Sequence, residues 1–170
     1  HYGFLSGSII TTGGNFTGSF TGSFKGSVTT SYPIIDVKSF GAKGDGISDD
    51  APAIQAAIDK AGNGSTIYIP AGTYMLGTSA GSPSNLTNGK PLQTALWLKA
   101  GGVTIKGDGT SSTLKLMAGK KMRILSITGD GATVDSLLFD GNKTQRNGTV
   151  PYPDGDVVDA LVVGESYRQQ

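Results

Sequence analysis

Acidic residues concentrated near the end of the sequence are the side chains best suited to acid–base chemistry: Asp130, Asp135, Asp140, Asp154, Asp156, Asp159 and Glu165. Hydrolysis of a glycosidic bond needs two carboxylates facing each other across a cleft, about 5–10 Å apart. Asp135 and Asp140 cannot share one face of a strand, because the separation between them is odd. Asp154, Asp156 and Asp159 are free to converge, so they are the candidate catalytic residues. We favour the interpretation that they are solvated loop aspartates, and no catalytic residue is assigned.

Aromatic side chains could instead bind sugar rings by stacking, and four are available: Tyr68, Tyr74, Trp97 and Tyr152. Trp97 lies between Leu96 and Leu98, so in a strand it points to the side opposite to both leucines. It faces either outward, as a platform for a sugar, or inward. Packing in the core or between chains is favoured, because an indole buries a large apolar surface. Trp97 and Tyr152 are the candidate glycan-binding residues.

Asp45, Asp49 and Asp50 are spaced like a loose calcium loop, but they lack the spacing and the closing glutamate of an EF-hand. We therefore predict that they cap and stabilise turns, and we expect no metal and no cofactor. The Gly-Asp-Gly sequences at 107–109 and 129–131 predict turns between strands, since neither begins a recognisable helix. The absence of cysteine excludes a disulfide scaffold, a thiolate zinc site and a cysteine nucleophile.

Composition limits the class of protein further. Glycine occurs 27 times in 170 residues and only 16% of residues are charged, which is typical of many short strands joined by tight turns. The net charge of +1 gives no electrostatic sign of nucleic-acid binding. No apolar run approaches the ~20 residues needed to span a bilayer, so membrane insertion is not expected. Because the chain begins at His1 without a signal segment, we expect it to be part of a longer polypeptide.

A four-residue repeat occupies residues 14–29 and sets the first part of the chain apart. In an extended strand its apolar members share one face with the repeat glycines; they are Phe16, Phe20, Phe24 and Val28. A single strand cannot bury such a stripe, whereas three chains wound around one axis can. The pattern predicts a stem over residues 1–33 that trimerises and attaches the chain to a partner. The alternative is a flexible Gly/Ser linker.

From residue 34 onward the pattern is that of a globular domain with recurring strands. We predict a strand over 35–40, a loop over 41–46 and a helix near 50–61 that covers one open end of the stack. Strands at 66–69, 95–98 and 124–127 each precede a glycine, and Gly72, Gly101 and Gly129 are 29 and 28 positions apart. Second strands are predicted at 73–76, 103–105 and 134–139, and a fourth unit at 161–163. Repeats of this length indicate stacked coils with loop insertions at 77–93 and 142–156.

The segments 37–50, 52–58 and 66–74 together resemble the opening of the pectate-lyase-like family, which includes rhamnogalacturonase- and polygalacturonase-like enzymes and many phage tailspikes. The resemblance covers roughly residues 35–165. It implies an all-β fold, a right-handed parallel β-helix over residues 34–170 with an N-terminal capping α-helix. The extended Gly-Ser-Phe repeat stem, predicted from the repeat itself, precedes this domain. The Asn-Thr-Asp, Asp-Asp, Gly-His-Gly and Arg-Ile-Lys series of polygalacturonase-like enzymes is missing, as is the calcium-aspartate and arginine constellation of pectate lyases. No catalytic residue is therefore carried over, and an active site, if there is one, is expected outside residues 1–170.

Two functions are consistent with these features. The repeat is similar to phage fibre stems, which favours the N-terminal part of a homotrimeric tail fibre or tailspike in the virion. Its expected partners are other tail or baseplate proteins and a host surface polysaccharide. The alternative is a secreted polysaccharide depolymerase, or a pectinolytic hydrolase or lyase, whose catalytic coils follow this segment. Whether the protein is an enzyme is left open.

Overall fold

The computed structural model describes residues 32–82, 86–87, 90–91, 93–142 and 161–163. The described residues contain one α-helix, α1, which spans Ala51–Lys60. They also contain two short 3-10 helices, at Val37–Phe40 and Gly109–Ser111. The strands in chain order are β1 (Ile34–Asp36), β2 (Asp45–Asp49), β3 (Thr66–Ile69), β4 (Gly72–Leu76), β5 (Leu86–Thr87), β6 (Lys90–Pro91), β7 (Thr94–Leu98), β8 (Thr104–Gly107), β9 (Ser112–Leu116), β10 (Arg123–Ile127), β11 (Thr133–Asp135), β12 (Leu138–Asp140) and β13 (Leu161–Val163).

Three parallel sheets form the body of the domain. Sheet A has the order β1-β3-β8-β11, sheet B the order β2-β4-β9-β12, and sheet C the order β7-β10-β13. The chain visits the sheets in the same sequence each time, so β8, β9 and β10 make one complete coil. Strands β5 and β6 form a small antiparallel pair inside the insertion at 77–93. This topology confirms the predicted all-β parallel β-helix, while the repeat stem lies outside the described residues.

Inward-facing side chains of successive coils stack on one another to make the core. Ile67 lies beside Ile105 in sheet A, Leu96 beside Leu125 in sheet C, and Tyr74 beside Leu114 in sheet B. All six side chains are at most 1% exposed. Alternation along each strand turns the intervening residues away from the core. On sheet C most of these residues are buried as well, since all five residues of β10 are buried.

Helix α1 takes the place that a strand of sheet C would occupy in the first coil. The predicted helix at 50–61 is confirmed, and its buried side, made of Ala51, Ile54, Ala57 and Ile58, packs on the end of the core. The Asp49 carboxylate accepts the N–H of Ala51 at 3.2 Å. α1 is too short to cross a bilayer, and the described ranges contain no helix that could do so.

Gln55 of α1 closes the free edge of sheet C. Its side-chain carbonyl accepts the N–H of Trp97 at 2.8 Å, and its amide group donates to the Trp97 carbonyl at 3.0 Å. These are the two backbone groups of β7 that a neighbouring strand would pair with. One side chain thereby supplies the donor and the acceptor of the missing strand, and the edge is no longer open to pairing with another chain.

We predict that Gln55→Leu destabilises the domain by about 2 kcal/mol, because it leaves the N–H and the carbonyl of Trp97 without partners. Leucine matches glutamine in helix propensity, so the change isolates the lost hydrogen bonds. Urea unfolding followed by circular dichroism measures the effect. Lys60→Leu, at an exposed position of the same helix, is the control. Equal losses in the two variants would contradict the edge-closing role of Gln55.

The structure corrects the prediction for residues 35–46. The expected strand at 35–40 is only β1, after which the chain turns into the first 3-10 helix, where the Asp36 carboxylate accepts the N–H of Lys38 at 2.8 Å. The expected loop at 41–46 overlaps β2, which pairs with β4 across an irregular register between Asp45 and Asp49. Pairing with β4 stabilises this glycine-containing segment as a strand, although its own β propensity is low.

The predicted alignment of coils was also wrong. Thr66 pairs with Thr104, 38 residues later, and not with the strand at 94–98, which pairs with β10. The glycine at 72 therefore does not mark the same point of a coil as those at 101 and 129. A 29-residue period holds between the following coils, where Thr104 pairs with Thr133. The first interval is longer because it contains the insertion at 77–93, and β9 was missed altogether.

Candidate functional site

Trp97 lies on the outer face of sheet C, near the end of β7. Its neighbours Leu96 and Leu98 are 1% and 0% exposed and point into the core, whereas the indole is partly buried on the opposite side. The indole N–H donates to the Thr128 hydroxyl at 3.0 Å, which joins two successive coils. Of the two orientations left open by the sequence, the structure shows the outward one.

Lys99 covers the ring of Trp97. Its Nζ lies 4.2 Å from the ring centroid, a distance typical of a cation–π contact. The lysine is exposed, and no carboxylate of the described ranges lies within ion-pairing distance of it. The site therefore combines an aromatic surface, an ammonium group with N–H donors still available and the exposed Thr128 hydroxyl.

The insertion at 77–93 borders this site on a second side. Gly81 forms an antiparallel bridge with Thr94, and a Cβ at Gly81 would lie 3.5 Å from two ring atoms of Trp97. The hydroxyl of Ser79 holds the turn in place through the carbonyls of Gly81 and Thr94, at 3.1 and 3.0 Å. Gly81 has a φ of 135°, which favours glycine and keeps the chain close to the indole.

A pocket of about 200 Å³ lies next to this border, between α1 and residues 78–80. Its apolar lining comes from Ala51, Pro52, Ala56, Ala80 and Ala95. Gln55, Asp59, Thr78 and Ser79 supply polar groups, but the Thr78 hydroxyl already donates to Asp49 and the Gln55 amide to Asp59. Ala95 is on the same outer face as Trp97, so the pocket extends the surface around the indole.

A second polar surface covers the outer face of sheet A. Asp36, Tyr68, Lys106 and Asp135 lie side by side on successive strands. The Tyr68 hydroxyl donates to both carboxylate oxygens of Asp108, at 3.0 and 2.9 Å. This hydrogen bond raises the pKa of Tyr68 and favours the protonated phenol.

Part of this second surface could be predicted from local patterns. Tyr68 was a candidate for sugar stacking, and alternation in 66–69 indicates an outward phenol. Its contact with Asp108 was missed, because the two residues are 40 positions apart and meet only once the coils are stacked in register. Tyr74, another aromatic candidate, lies in the core at 0% exposure and is no sugar platform.

The three early aspartates stabilise turns, as predicted. Asp50 is 2% exposed and accepts the N–H groups of Lys43 and Gly44, at 2.7 and 3.0 Å. Asp45 accepts the N–H groups of Ser48 and Ile47, and these bonds lower its pKa to about 2. The Asp49 carboxylate accepts the N–H groups of Ala51 and Gly77 and so links two segments of the backbone. Their carboxylates hold the backbone, and the described ranges contain no cluster of side chains that could bind a metal ion.

The late carboxylates that the structure describes do not form a catalytic pair. Asp135 is exposed on sheet A, whereas Asp140 lies on the outer face of sheet B, where Lys115 binds it at 2.8 Å. That bond lowers the pKa of Asp140 and favours the ionised form. Asp130 is exposed in the turn after β10. Outside the described residues lie Tyr152, Asp154, Asp156 and Asp159, together with the stem residues Phe16, Phe20, Phe24 and Val28.

Comparisons with known proteins place this chain in a family. A family model described as rhamnogalacturonase A/epimerase, pectate lyase-like, matches residues 34–149. Mannuronan C5-epimerase AlgE1 of Azotobacter vinelandii is 39% identical over 127 residues, which cover 69% of this chain and 8% of the epimerase. The preneck appendage protein of Bacillus phage PZA is 43% identical over 51 residues, which cover 30% of this chain and 6% of the phage protein.

Solved structures give the same fold. The A-module of mannuronan C-5 epimerase AlgE6 from Azotobacter vinelandii is 35% identical, with a TM-score of 0.52 over 68% of this chain and 29% of its own. ORF18 of Geobacillus virus E2 also has a TM-score of 0.52, over 76% of this chain and 22% of its own, and at 18% identity it shows the fold alone. This chain spans a quarter or less of the length of the curated relatives named here. Because the family model matches more than half of the sequence, the chain belongs to the rhamnogalacturonase A/epimerase, pectate-lyase-like family.

Proposed function

We propose that this chain is the N-terminal part of a phage tailspike-like protein whose β-helix binds a surface polysaccharide. The observation that carries the proposal is the 43% identity over 51 residues to the preneck appendage protein of a Bacillus phage. A β-helix suits the role because its outer faces provide long, regular surfaces along which a linear polymer can lie. Trp97 with Lys99 and the outer face of sheet A are such surfaces in the described coils.

The repeat over residues 14–29 supports a second part of the proposal. Phe16, Phe20, Phe24 and Val28 would meet their equivalents in two other copies, so that the stem holds a homotrimer and joins it to other tail proteins. Trimerisation also raises the effective affinity for a polymer, because three weak sites bind it together.

Three measurements on the full-length protein test this function. Light scattering should give the mass of a trimer, and a monomer at micromolar concentration would overturn the stem assignment. Purified protein should also compete with phage particles for adsorption to host cells, and antibodies against the solenoid should label virions. Unlabelled virions and unchanged adsorption would overturn the proposed role in the tail.

A polysaccharide-modifying enzyme is the second candidate, favoured by the 39% identity to a mannuronan epimerase. Of the late carboxylates that the structure describes, Asp135 lies on sheet A and Asp140 is paired with Lys115 on sheet B, so this candidate places the chemistry in residues outside the described coils. Incubation of the full-length protein with mannuronan separates the outcomes. NMR detects epimerised sugars, ultraviolet absorbance detects the unsaturated ends made by a lyase, and a reducing-end assay detects chain cleavage.

A further inference from the structure

We propose that the first coil of the solenoid carries a second trimer interface, an apolar rim made of Tyr32, Ile34, Phe40 and Ile47 that packs against the same coil of a neighbouring copy. The inference rests on the proposed function, because it assumes three copies held together by their stems, and it identifies the surface that their solenoids share. Five large apolar side chains of the described residues are exposed, and four of them form this rim.

Ile47 is the most exposed member of the rim, at 80%, and the backbone around it is held by Asp45. The Asp45 carboxylate accepts the N–H groups of Ile47 and Ser48, at 2.9 and 2.8 Å, and the Ser48 hydroxyl at 2.8 Å. β2 bulges at this point, because its register with β4 is irregular between Asp45 and Asp49. The side chain therefore projects from a hydrogen-bonded turn, so burying it against a partner requires little further ordering of the backbone.

Tyr32 and Ile34 form the part of the rim on sheet A. Ile34 points outward, since its neighbour Ile35 lies beside the buried Ile67, and it is 72% exposed. The Tyr32 ring lies against the backbone of Gly64, where a Cβ would overlap the ring atoms. This contact supports one side of the ring, while more than half of the residue remains exposed. Two apolar side chains are thus presented together at the start of sheet A.

The two parts of the rim lie on different sheets, as a threefold arrangement requires. In a ring of three copies each interface joins two different surfaces, so every copy must present one patch to each neighbour. Ile34 belongs to sheet A and Ile47 to sheet B, and Phe40 ends the 3-10 helix between β1 and β2. With this corner directed at the axis, the sheet A part of one copy meets the sheet B part of the next.

The position of the rim in the sequence favours another copy as its partner. β1 begins directly after the proposed stem, and six positions separate Val28 from Ile34, a length of chain that spans about 20 Å when fully extended. In the proposed trimer the stems meet at Val28, so each first coil is tethered near the other two. The tether makes even a weak apolar contact favourable, because association becomes intramolecular. Later coils lack such a tether, and Leu138 is the one exposed large apolar side chain that the structure describes in them.

The backbone of the first coil favours packing of side chains over addition of a strand. The N–H groups of Ile47 and Ser48 are already bound to Asp45, so a strand pairing with β2 could not use them. On β1 the Ser39 hydroxyl donates to the Asp36 carbonyl at 2.5 Å. An extended strand of another tail protein would therefore find few partners here, whereas the apolar side chains of a neighbouring copy need none.

Sedimentation equilibrium of the full-length protein measures what the rim contributes to the trimer. We expect Ile47→Ser and Ile34→Ser each to raise the concentration at which the trimer dissociates by about 10-fold or more, because each removes buried apolar surface from all three interfaces. Leu138→Ser is the matched control, since it changes an exposed apolar side chain of a later coil and should alter that concentration by no more than about 2-fold. Circular dichroism checks that the three variants keep the fold.

Cross-linking tests the pairing of the two parts of the rim. Residues 1–170 contain no cysteine, so Ile34→Cys and Ile47→Cys can be introduced together into a protein freed of any other cysteine. A short bifunctional maleimide should then link three chains covalently, because the sheet A part of each copy reacts with the sheet B part of the next. Ile34→Cys combined with Leu138→Cys should give no linked trimer.

The outcomes separate this inference from the function beneath it. A trimeric parent protein that shows equal dissociation of Ile47→Ser and Leu138→Ser, and no linked trimer, would overturn the rim interface and leave the stem standing. An unchanged trimer of Ile47→Ser that no longer joins virions would also overturn it and would assign the rim to another tail protein. A monomeric parent protein would overturn both the stem and this inference.

Discussion

Gly129→Ala is expected to lower the free energy of unfolding by about 3 kcal/mol, the upper part of the range for overpacking a rigid site. A Cβ at Gly129 would overlap the carbonyl of Ala100 in the preceding coil and would lie 2.8 Å from the backbone nitrogen of Gly101. These are backbone atoms, so the clash cannot be relieved by rotating a side chain. The two coils would have to separate at the turn that joins sheet C to sheet A, next to the Trp97–Thr128 hydrogen bond.

Denaturant unfolding measures this loss, and Gly62→Ala is the control. A Cβ at Gly62 has no atom within 4 Å, so this variant should unfold within about 0.5 kcal/mol of the parent protein. Amide hydrogen exchange should show faster opening of β10 in Gly129→Ala, since the coil spacing is disturbed there. If the two alanine variants unfold at the same denaturant concentration, successive turns are not packed as closely as described.

Tyr74→Ala is expected to have the largest effect of any single truncation, a loss of about 3–5 kcal/mol. Tyr74 is 0% exposed and is the largest of the fully buried side chains in the described ranges. Its ring fills the space over Gly44, where a Cβ would lie 2.9 Å from the ring, and its hydroxyl donates to the Pro70 carbonyl at 2.9 Å. Burial raises the pKa of this phenol to about 12, so it remains a hydrogen-bond donor at neutral pH.

Tyr74→Phe separates the packing from the hydrogen bond. It keeps the ring and removes only the hydroxyl, so we expect a loss of about 1 kcal/mol. Chemical denaturation of both variants gives the two values, and near-ultraviolet circular dichroism checks that the core remains ordered in Tyr74→Phe. Similar losses for phenylalanine and alanine would show that the hydroxyl, and not the ring, holds the first two coils together.

Local patterns made the helix and several strands predictable. α1 follows from Pro52 in the first turn and from apolar residues at helical spacing, and β3 follows from its alternation. The register of the coils could not be predicted, because it depends on how many residues each insertion holds. Once Thr66 is known to pair with Thr104, the outer faces of the sheets follow directly.

The candidate site was predictable only in part, for the same reason. Because side chains alternate along a strand, Trp97 was predicted to point to the side opposite to Leu96 and Leu98, with the outward orientation as one of two options. The position of Lys99 over the ring could not be predicted, because Lys99 follows the end of β7, where alternation no longer applies. Thr128 comes from the next coil, 31 residues away, and its bond to the indole requires the correct stacking of β7 on β10.

The closed edge formed by Gln55 gives the solenoid a direction of growth. The bonds between Gln55 and Trp97 complete the N-terminal side of sheet C within the first two coils. The residues that close this edge therefore precede all later coils in the chain. Each new coil can then add only to the other side, where the strand edges are still unpaired. Sheet C is thereby extended in one direction only, and each completed strand offers the edge on which the next one pairs.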